Sequence, residues 1–152
     1  MKKISVIGAG SWGTTLAVLL AEKGYDVKLW ARREELANDI EAKRENLQYL
    51  PGIKIPDNAI ASNFLKDVTD GSEIIIIAVP SEFVREVAKE IRHYFNNQII
   101  VSATKGIEHN TCKRMSQVIG EELGEAKIAV LSGPNHAEEV SHKMPTASVV
   151  AS

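Results

Sequence analysis

Short apolar runs alternate with longer stretches of helical period along the 152 residues. That pattern predicts strand–helix–strand units on a parallel sheet. The runs are Ile4–Ile7, Val27–Trp30, Ala59–Ala61, Glu73–Val79, Gln98–Ser102, Ile128–Leu131 and Ala147–Ala151. Glu73–Val79 is apolar on both faces, as a central parallel strand covered by helices on each side should be. Between the runs, Ser11–Lys23 carries Leu16, Leu19 and Leu20 at helical spacing and stops at Gly24, a C-cap residue. Ser81–Arg92 reads as a helix with Ser81 as its N-cap, after Pro80 closes the strand. Lys113–Leu123 and Asn135–Val140 read as further helices, Asn46–Gly52 as irregular chain, and Asp67–Gly71 as a turn before the central strand. The predicted architecture is α/β: a doubly wound, mainly parallel sheet with helices on both faces, in one domain spanning residues 1–152.

Ala147–Ser152 reads as a buried strand whose following crossover is missing. The chain is therefore expected to be the N-terminal domain of a longer protein.

Composition narrows the chemistry. With 44% hydrophobic and 25% charged residues the chain is of ordinary globular composition. A net charge of −2 carries no basic excess for nucleic acid or an acidic membrane. The single cysteine, Cys112, cannot form an internal disulfide, and its neighbours give no sign of an activated thiol. His93, His109, His136 and His142 are scattered without metal-ligand spacing, so no metal is expected. His93 and His109 read as exposed, His136 as helix-start scaffolding. No run approaches a membrane span and no signal peptide opens the chain, which predicts a cytoplasmic location.

Gly8-Ala9-Gly10-Ser11-Trp12-Gly13 is G-x-G-x-x-G placed directly after the first strand and opening the first helix. In a dinucleotide fold Gly8 permits the tight turn, Gly10 lets the pyrophosphate approach the backbone, and Gly13 lets helix and strand pack closely. The N–H groups of the helix start then meet the phosphates. An acid bonding the ribose hydroxyls is expected at the end of the second strand. Instead Val27–Trp30 is followed by Ala31-Arg32-Arg33, with Glu34 and Glu35 only afterwards. Two guanidiniums there suit a 2′-phosphate, so NADP(H) is favoured and NAD(H) stays possible. Apart from these two arginines, the charged stretch from Arg32 to Arg44 reads mostly as a solvated helix face.

Four further segments carry a resemblance: Asn46-Leu47-Gln48-Tyr49-Leu50-Pro51-Gly52, Val79-Pro80-Ser81, Lys105-Gly106-Ile107-Glu108 and Leu131-Ser132-Gly133-Pro134. With Gly8–Gly13, and in this order, the set resembles the NAD(P)-dependent glycerol-3-phosphate dehydrogenases of bacterial type, from Lys2 to Ser152. The resemblance implies a Rossmann-type cofactor domain, with an all-helical C-terminal domain that this chain does not contain. It implies that Ser11 and Trp12 line the pyrophosphate and ribose side of the cofactor. Arg32 and Arg33 stand at the adenosine end, Tyr49 and Phe83 pack near the dinucleotide, and Ala137 lies close to it. Gly133, Pro134 and Asn135 form part of the substrate floor, although Asn135-His136 departs from the serine and aromatic or histidine of many members.

Lys105 is the residue expected to carry chemistry. A lysine in a turn at a strand's carboxyl end can offer its ammonium to a carbonyl oxygen that gains negative charge during reduction by hydride. In the resemblance it contacts both cofactor and substrate. The implied reaction interconverts dihydroxyacetone phosphate and sn-glycerol 3-phosphate for glycerophospholipid synthesis. The general acid/base lysine and the phosphate-holding residues belong to the absent domain, so the domain alone is expected to be inactive. A homodimer is possible for the longer protein. Two other readings stay open: another two-domain dehydrogenase of hydroxyacid or ketopantoate type, and a module that senses dinucleotide without chemistry.

Overall fold

The computed structural model describes residues 2–152. Its elements in chain order are β1 (Lys3–Ile7), α1 (Ser11–Glu22), β2 (Asp26–Trp30), α2 (Glu34–Lys43), β3 (Glu45–Asn46), β4 (Leu50–Lys54) and β5 (Ala59–Ser62). They continue as α3 (Leu65–Thr69), β6 (Ile74–Ile77), a 3-10 turn (Ser81–Phe83), α4 (Val84–Arg92), β7 (Ile99–Ser102) and α5 (Met115–Leu123). The last three are β8 (Ile128–Ser132), α6 (Ala137–Ser141) and β9 (Val149–Ala151).

Seven strands form one sheet in the order β5-β2-β1-β6-β7-β8-β9. All its pairings are parallel except the last, where β9 runs antiparallel to β8. Successive side chains of a strand point to opposite faces, and the two cores follow from that. Ile4 and Val6 of β1 and Ile76 of β6 pack on one face with Ala17 and Val18 of α1 and Ile40 of α2. Ile7 of β1 and Ile75 and Ile77 of β6 pack on the other with Val68, Val84, Ile91 and Val118, from α3, α4 and α5. The isoleucine run is thus buried on both sides because helices cover both sides. The doubly wound prediction holds.

The chain order reverses between β1 and β6: strands earlier in the crossover series lie beyond β1, later ones beyond β6. A crevice opens at such a point, outside the carboxyl ends of the strands.

Several local expectations are corrected. Asn46–Gly52 is not irregular: it holds the turn of the β3–β4 hairpin, which forms a small sheet of its own. Asp67–Thr69 lies inside α3, whose Leu65 and Val68 are buried, and only the residues after it turn. Ser81 does not cap α4; it opens a 3-10 turn, and α4 begins at Val84. α5 starts at Met115 because Arg114 is extended (φ −65°, ψ 151°) and serves as its N-cap, which leaves Lys113 outside the helix. α6 starts at Ala137, later than Asn135. β9 is an exposed edge rather than a buried strand, with Val149 66% exposed. Arg44 does not belong to a solvated face: it is half-buried and left-handed (φ 52°). Its guanidinium donates to the carbonyls of Pro56 and, at 2.6 Å, Ala59.

Candidate functional site at the sheet's switch point

The three glycines of the first turn have different physical reasons. Gly8 has φ +119°, and a Cβ there would stand 2.7 Å from the Ala78 carbonyl oxygen at the end of β6. At Gly13 a Cβ would overlap the carbonyl oxygen of Gly8. Both are demanded by the protein's own packing. Gly10 is not: its φ of −75° and ψ of −177° suit any residue, and a Cβ there would meet nothing within 4 Å. The space over Gly10 is therefore left clear for something other than protein. α1 starts at this point, with the Thr14 N–H donating to the Gly10 carbonyl at 2.9 Å. The N–H groups of Ser11, Trp12 and Gly13 precede that first helical bond.

The clear space is a cleft of about 500 Å³ lined by Gly8, Ala9 and Gly10 and by residues at the ends of β2 and β6. Arg32, Arg33, Tyr49 and Phe83 also line it. The Arg32 guanidinium lies over the Phe83 ring, 5.4 Å from its centroid, a cation–π contact spanning the cleft mouth. Arg33 hydrogen-bonds the Gln48 side chain in the β3–β4 turn. Both arginines are exposed and neither is bound to a carboxylate among the described residues, so both can turn toward an anion. Beneath them Trp30 is nearly buried and donates its indole N–H to the Asn63 carbonyl at 3.0 Å.

Lys105 follows β7, and its Nζ donates at 2.9 Å to the carbonyl oxygen of Asn135, which follows β8. Because β6, β7 and β8 are neighbours, Lys105 and Gly133–Asn135 extend the line of strand ends away from the arginines. From β2 to β7 is three strand spacings, about 14 Å. One edge of the sheet thus presents arginines, a glycine turn and a lysine in that order.

Of the residues singled out from the sequence, Gly8, Gly10, Arg32, Arg33, Tyr49 and Phe83 line one cleft. Ser11 and Trp12 stand half-buried at the start of α1, with Trp12 packed on the core. Gly13 is buried behind them. Ala137 is buried, and its carbonyl accepts the Thr15 hydroxyl at 3.2 Å, tying α6 to α1. Gly133 is tight for a local reason, since a Cβ there would overlap the Ala147 carbonyl oxygen. Asn135 is buried, and its Nδ2 donates to Thr146 Oγ1 at 3.0 Å and to the Ala147 carbonyl at 2.9 Å. Its side chain thus holds the strap leading to β9, and its backbone carbonyl meets Lys105.

Sequence reasoning passed over the ion-pair cluster behind Lys105. Arg85 on α4 donates through Nε to Glu108 Oε1 at 2.6 Å and through Nη2 to Oε2 at 2.8 Å. It also pairs with Glu121 and Glu122 of α5. The Arg85 bonds, helped by the Thr111 hydroxyl, hold the Glu108 carboxyl down to about 2. Those three glutamates, Glu108 first, raise Arg85. Glu121 is lowered, chiefly by Lys113 and then by Arg85. This cluster anchors the far end of the Lys105–Glu108 segment. Its sequence signal was weak, because glutamates on a helix read as solvated surface. Among the described residues no group of three histidine, cysteine or acidic side chains could hold a metal, and no helix is long and apolar enough to cross a membrane.

Comparison with known proteins matches residues 3–152 to the family model described as "NAD-dependent glycerol-3-phosphate dehydrogenase N-terminus". The chain is 52% identical over 154 residues to a glycerol-3-phosphate dehydrogenase [NAD(P)+] of Chlorobium phaeobacteroides, covering 99% of this chain and 46% of that protein. Its fold superimposes on the crystal structure of glycerol-3-phosphate dehydrogenase from Coxiella burnetii with a TM-score of 0.93 at 35% identity. That match covers 98% of this chain and 46% of the other. A ketopantoate reductase of Ralstonia eutropha reaches a TM-score of 0.68 over 86% of this chain and 41% of its own, but at 20% identity it shares the fold alone. The chain spans about half the length of the curated relatives it matches.

Proposed function

The chain belongs to the NAD-dependent glycerol-3-phosphate dehydrogenase family, matching its N-terminal part, and on that premise we propose that residues 1–152 are the dinucleotide-binding domain of a two-domain dehydrogenase. The observation that carries this reading is the clear space over Gly10, beside two glycines that the protein's own packing explains. A pyrophosphate fits there, close to backbone and facing the start of α1, where N–H groups and helix dipole favour negative charge. Arg32 and Arg33 would hold the adenosine end. Charge-assisted bonds from two guanidiniums favour a 2′-phosphate, so NADP(H) is the proposed cofactor and NAD(H) the weaker ligand. Ser11, Trp12, Tyr49, Phe83 and Ala137 would flank the dinucleotide.

The nicotinamide, when bound, supplies or accepts a hydride. The chain's own contribution to that chemistry is Lys105. The proposed substrate is dihydroxyacetone phosphate, reduced at C2 to sn-glycerol 3-phosphate. Negative charge builds on the carbonyl oxygen during reduction, and a fixed ammonium beside it stabilises the transition state. The Asn135 carbonyl and the Arg85–Glu108 clasp steady the segment that carries Lys105. Gly133 and Asn135 would form part of the substrate floor through their backbone. The proton and the grip on substrate phosphate would come from a second domain, so this chain alone binds cofactor without turnover. A cytoplasmic enzyme feeding glycerophospholipid synthesis, dimeric at full length, completes the proposal.

The test is dihydroxyacetone-phosphate-dependent loss of NADPH absorbance in the longer protein that carries this chain. Turnover with this substrate and none with ketopantoate supports the reading. The reverse overturns it.

A further inference from the structure

Asn46 does not line the cleft, yet its buried side chain reaches the glycine turn that does. It is 0% exposed, on the two-residue strand β3. A buried primary amide is costly unless both its protons and its oxygen are used. All are used here. Nδ2 donates to the Ala9 carbonyl at 2.9 Å and to Thr14 Oγ1 at 2.8 Å, while Oδ1 accepts the Tyr49 N–H at 3.2 Å. Ala9 belongs to the glycine turn, Thr14 to the first turns of α1, and Tyr49 to the cleft wall.

We propose that Asn46 is a positioning residue for the glycine turn, its amide holding the Ala9 carbonyl so that the Ala9–Gly10 peptide keeps the plane that dinucleotide binding needs. The inference rests on the dinucleotide reading of the cleft. The C=O and N–H of a trans peptide point to opposite sides, and no peptide among the described residues is cis. A hold on the Ala9 oxygen therefore directs the Gly10 N–H away from Asn46 and sets the entry into α1. The next carbonyl, of Gly10, is already committed to Thr14 N–H, so the turn is gripped at two successive peptides.

The hairpin also has fastenings that do not pass through this side chain. The Ile55 N–H donates to the Arg44 carbonyl at 2.8 Å, and the Arg44 guanidinium fastens the same region to Ala59. What Asn46 alone supplies is a proton donor to Ala9. A leucine of similar size would fill the space but leave that carbonyl buried and unpaired.

Asn46→Asp removes the donor but adds a charge, so it is measured beside Asn46→Leu, which removes the donor without one; the losses below are expected of both. The aspartate can still accept from the Tyr49 N–H, and the Thr14 hydroxyl, now an acceptor, can turn to donate to it, but it presents an oxygen to the Ala9 carbonyl. The readout is binding of two ligands to the chain: NADPH, and adenosine 2′-monophosphate, which carries the adenosine and 2′-phosphate but no pyrophosphate. NADPH should weaken about tenfold, the worth of one hydrogen bond to or beside a charged group. Adenosine 2′-monophosphate should be unaffected. A role in general stability would weaken both alike, and that result, or unchanged NADPH binding, overturns the proposal. Should Asn46→Asp fail to fold, Thr14→Val decides the question without a buried charge. It frees one amide proton and loosens the hold, and the expected loss of about threefold falls on NADPH alone. Failure of the unmutated chain to bind NADPH overturns the dinucleotide reading itself, a separate result seen before any variant is made.

Discussion

The Lys105 ammonium donates to the backbone carbonyl of Asn135 at 2.9 Å, joining the turns that follow β7 and β8. That bond holds the cation at the carboxyl edge of the sheet, in line with the glycine turn and the two arginines. Replacing Lys105 by methionine keeps the aliphatic stem and removes the charge. On the proposed function, kcat for dihydroxyacetone phosphate in the longer protein should fall by about 10²–10³, the usual cost of losing one preorganised group at a developing oxyanion. NADPH affinity should fall far less than kcat. Stopped-flow hydride transfer together with a separate binding titration checks both halves. A module that only senses dinucleotide would show no effect on its function.

The two glycines Gly10 and Gly13 should respond to alanine in opposite ways. Gly13→Ala drives a methyl into the Gly8 carbonyl and should cost about 3 kcal/mol. That is a fall in Tm of roughly 10 °C for a chain of this size. Gly10→Ala meets no protein atom and has an ordinary φ, so stability should hold or rise by about 0.5 kcal/mol. The same Gly10→Ala variant should nevertheless bind NADPH at least about tenfold more weakly, because the methyl occupies the pyrophosphate's space. Calorimetry and a binding titration on both variants decide this.

The sheet was legible from the sequence because short isoleucine and valine runs bounded by turn residues have few other structures available. Ile74–Ile77, Ile99–Ser102 and Ile128–Ser132 fall where the apolar runs stand. The hairpin Glu45–Lys54 was not legible, since its strands are short and its stability comes from tertiary bonds through Asn46 and Arg44. α3 has five residues, too few to display a period. The misreading of β9 as buried arose from equating an apolar run with burial, although Val149 and Val150 both stand largely exposed. The cleft was more legible than its support. Glycines and arginines at strand ends announce themselves, whereas Asn46 and the Arg85–Glu108 clasp depend on partners far away in sequence.

Acid should loosen the segment behind Lys105 before it unfolds the sheet. Arg85 holds Glu108 down to about 2, against an ordinary value of 4.5. A carboxyl lowered on folding stabilises fully above its unfolded value and loses that contribution as pH falls through the window from 4.5 toward 2. Glu121, lowered by Lys113 and Arg85, acts in the same direction. Stability should therefore rise with pH across this window, and Arg85→Met should flatten the rise. Denaturant titrations at pH values spanning the window measure the slope in both proteins.

Cofactor choice should reside in the arginine pair. Charge-assisted bonds to a phosphate are worth about 1.5–3 kcal/mol each. Arg32→Ala with Arg33→Ala should therefore weaken NADPH by at least about a hundredfold while affecting NADH far less. The cation–π contact of Arg32 with Phe83 is also lost in this variant. Phe83→Ala, which removes the contact but keeps both charges, should preserve the preference for NADPH. Competition binding with the two nucleotides on each variant separates the roles.

The most direct test of the account is titration of the unmutated chain with NADPH, followed by the fluorescence of Trp30 beneath the cleft and Trp12 at the start of α1. Saturable quenching is expected, reversed by an excess of NADP and tighter than that produced by NADH. No saturable response to either nucleotide at millimolar concentration would contradict it, because the space over Gly10 would then be a turn without a ligand.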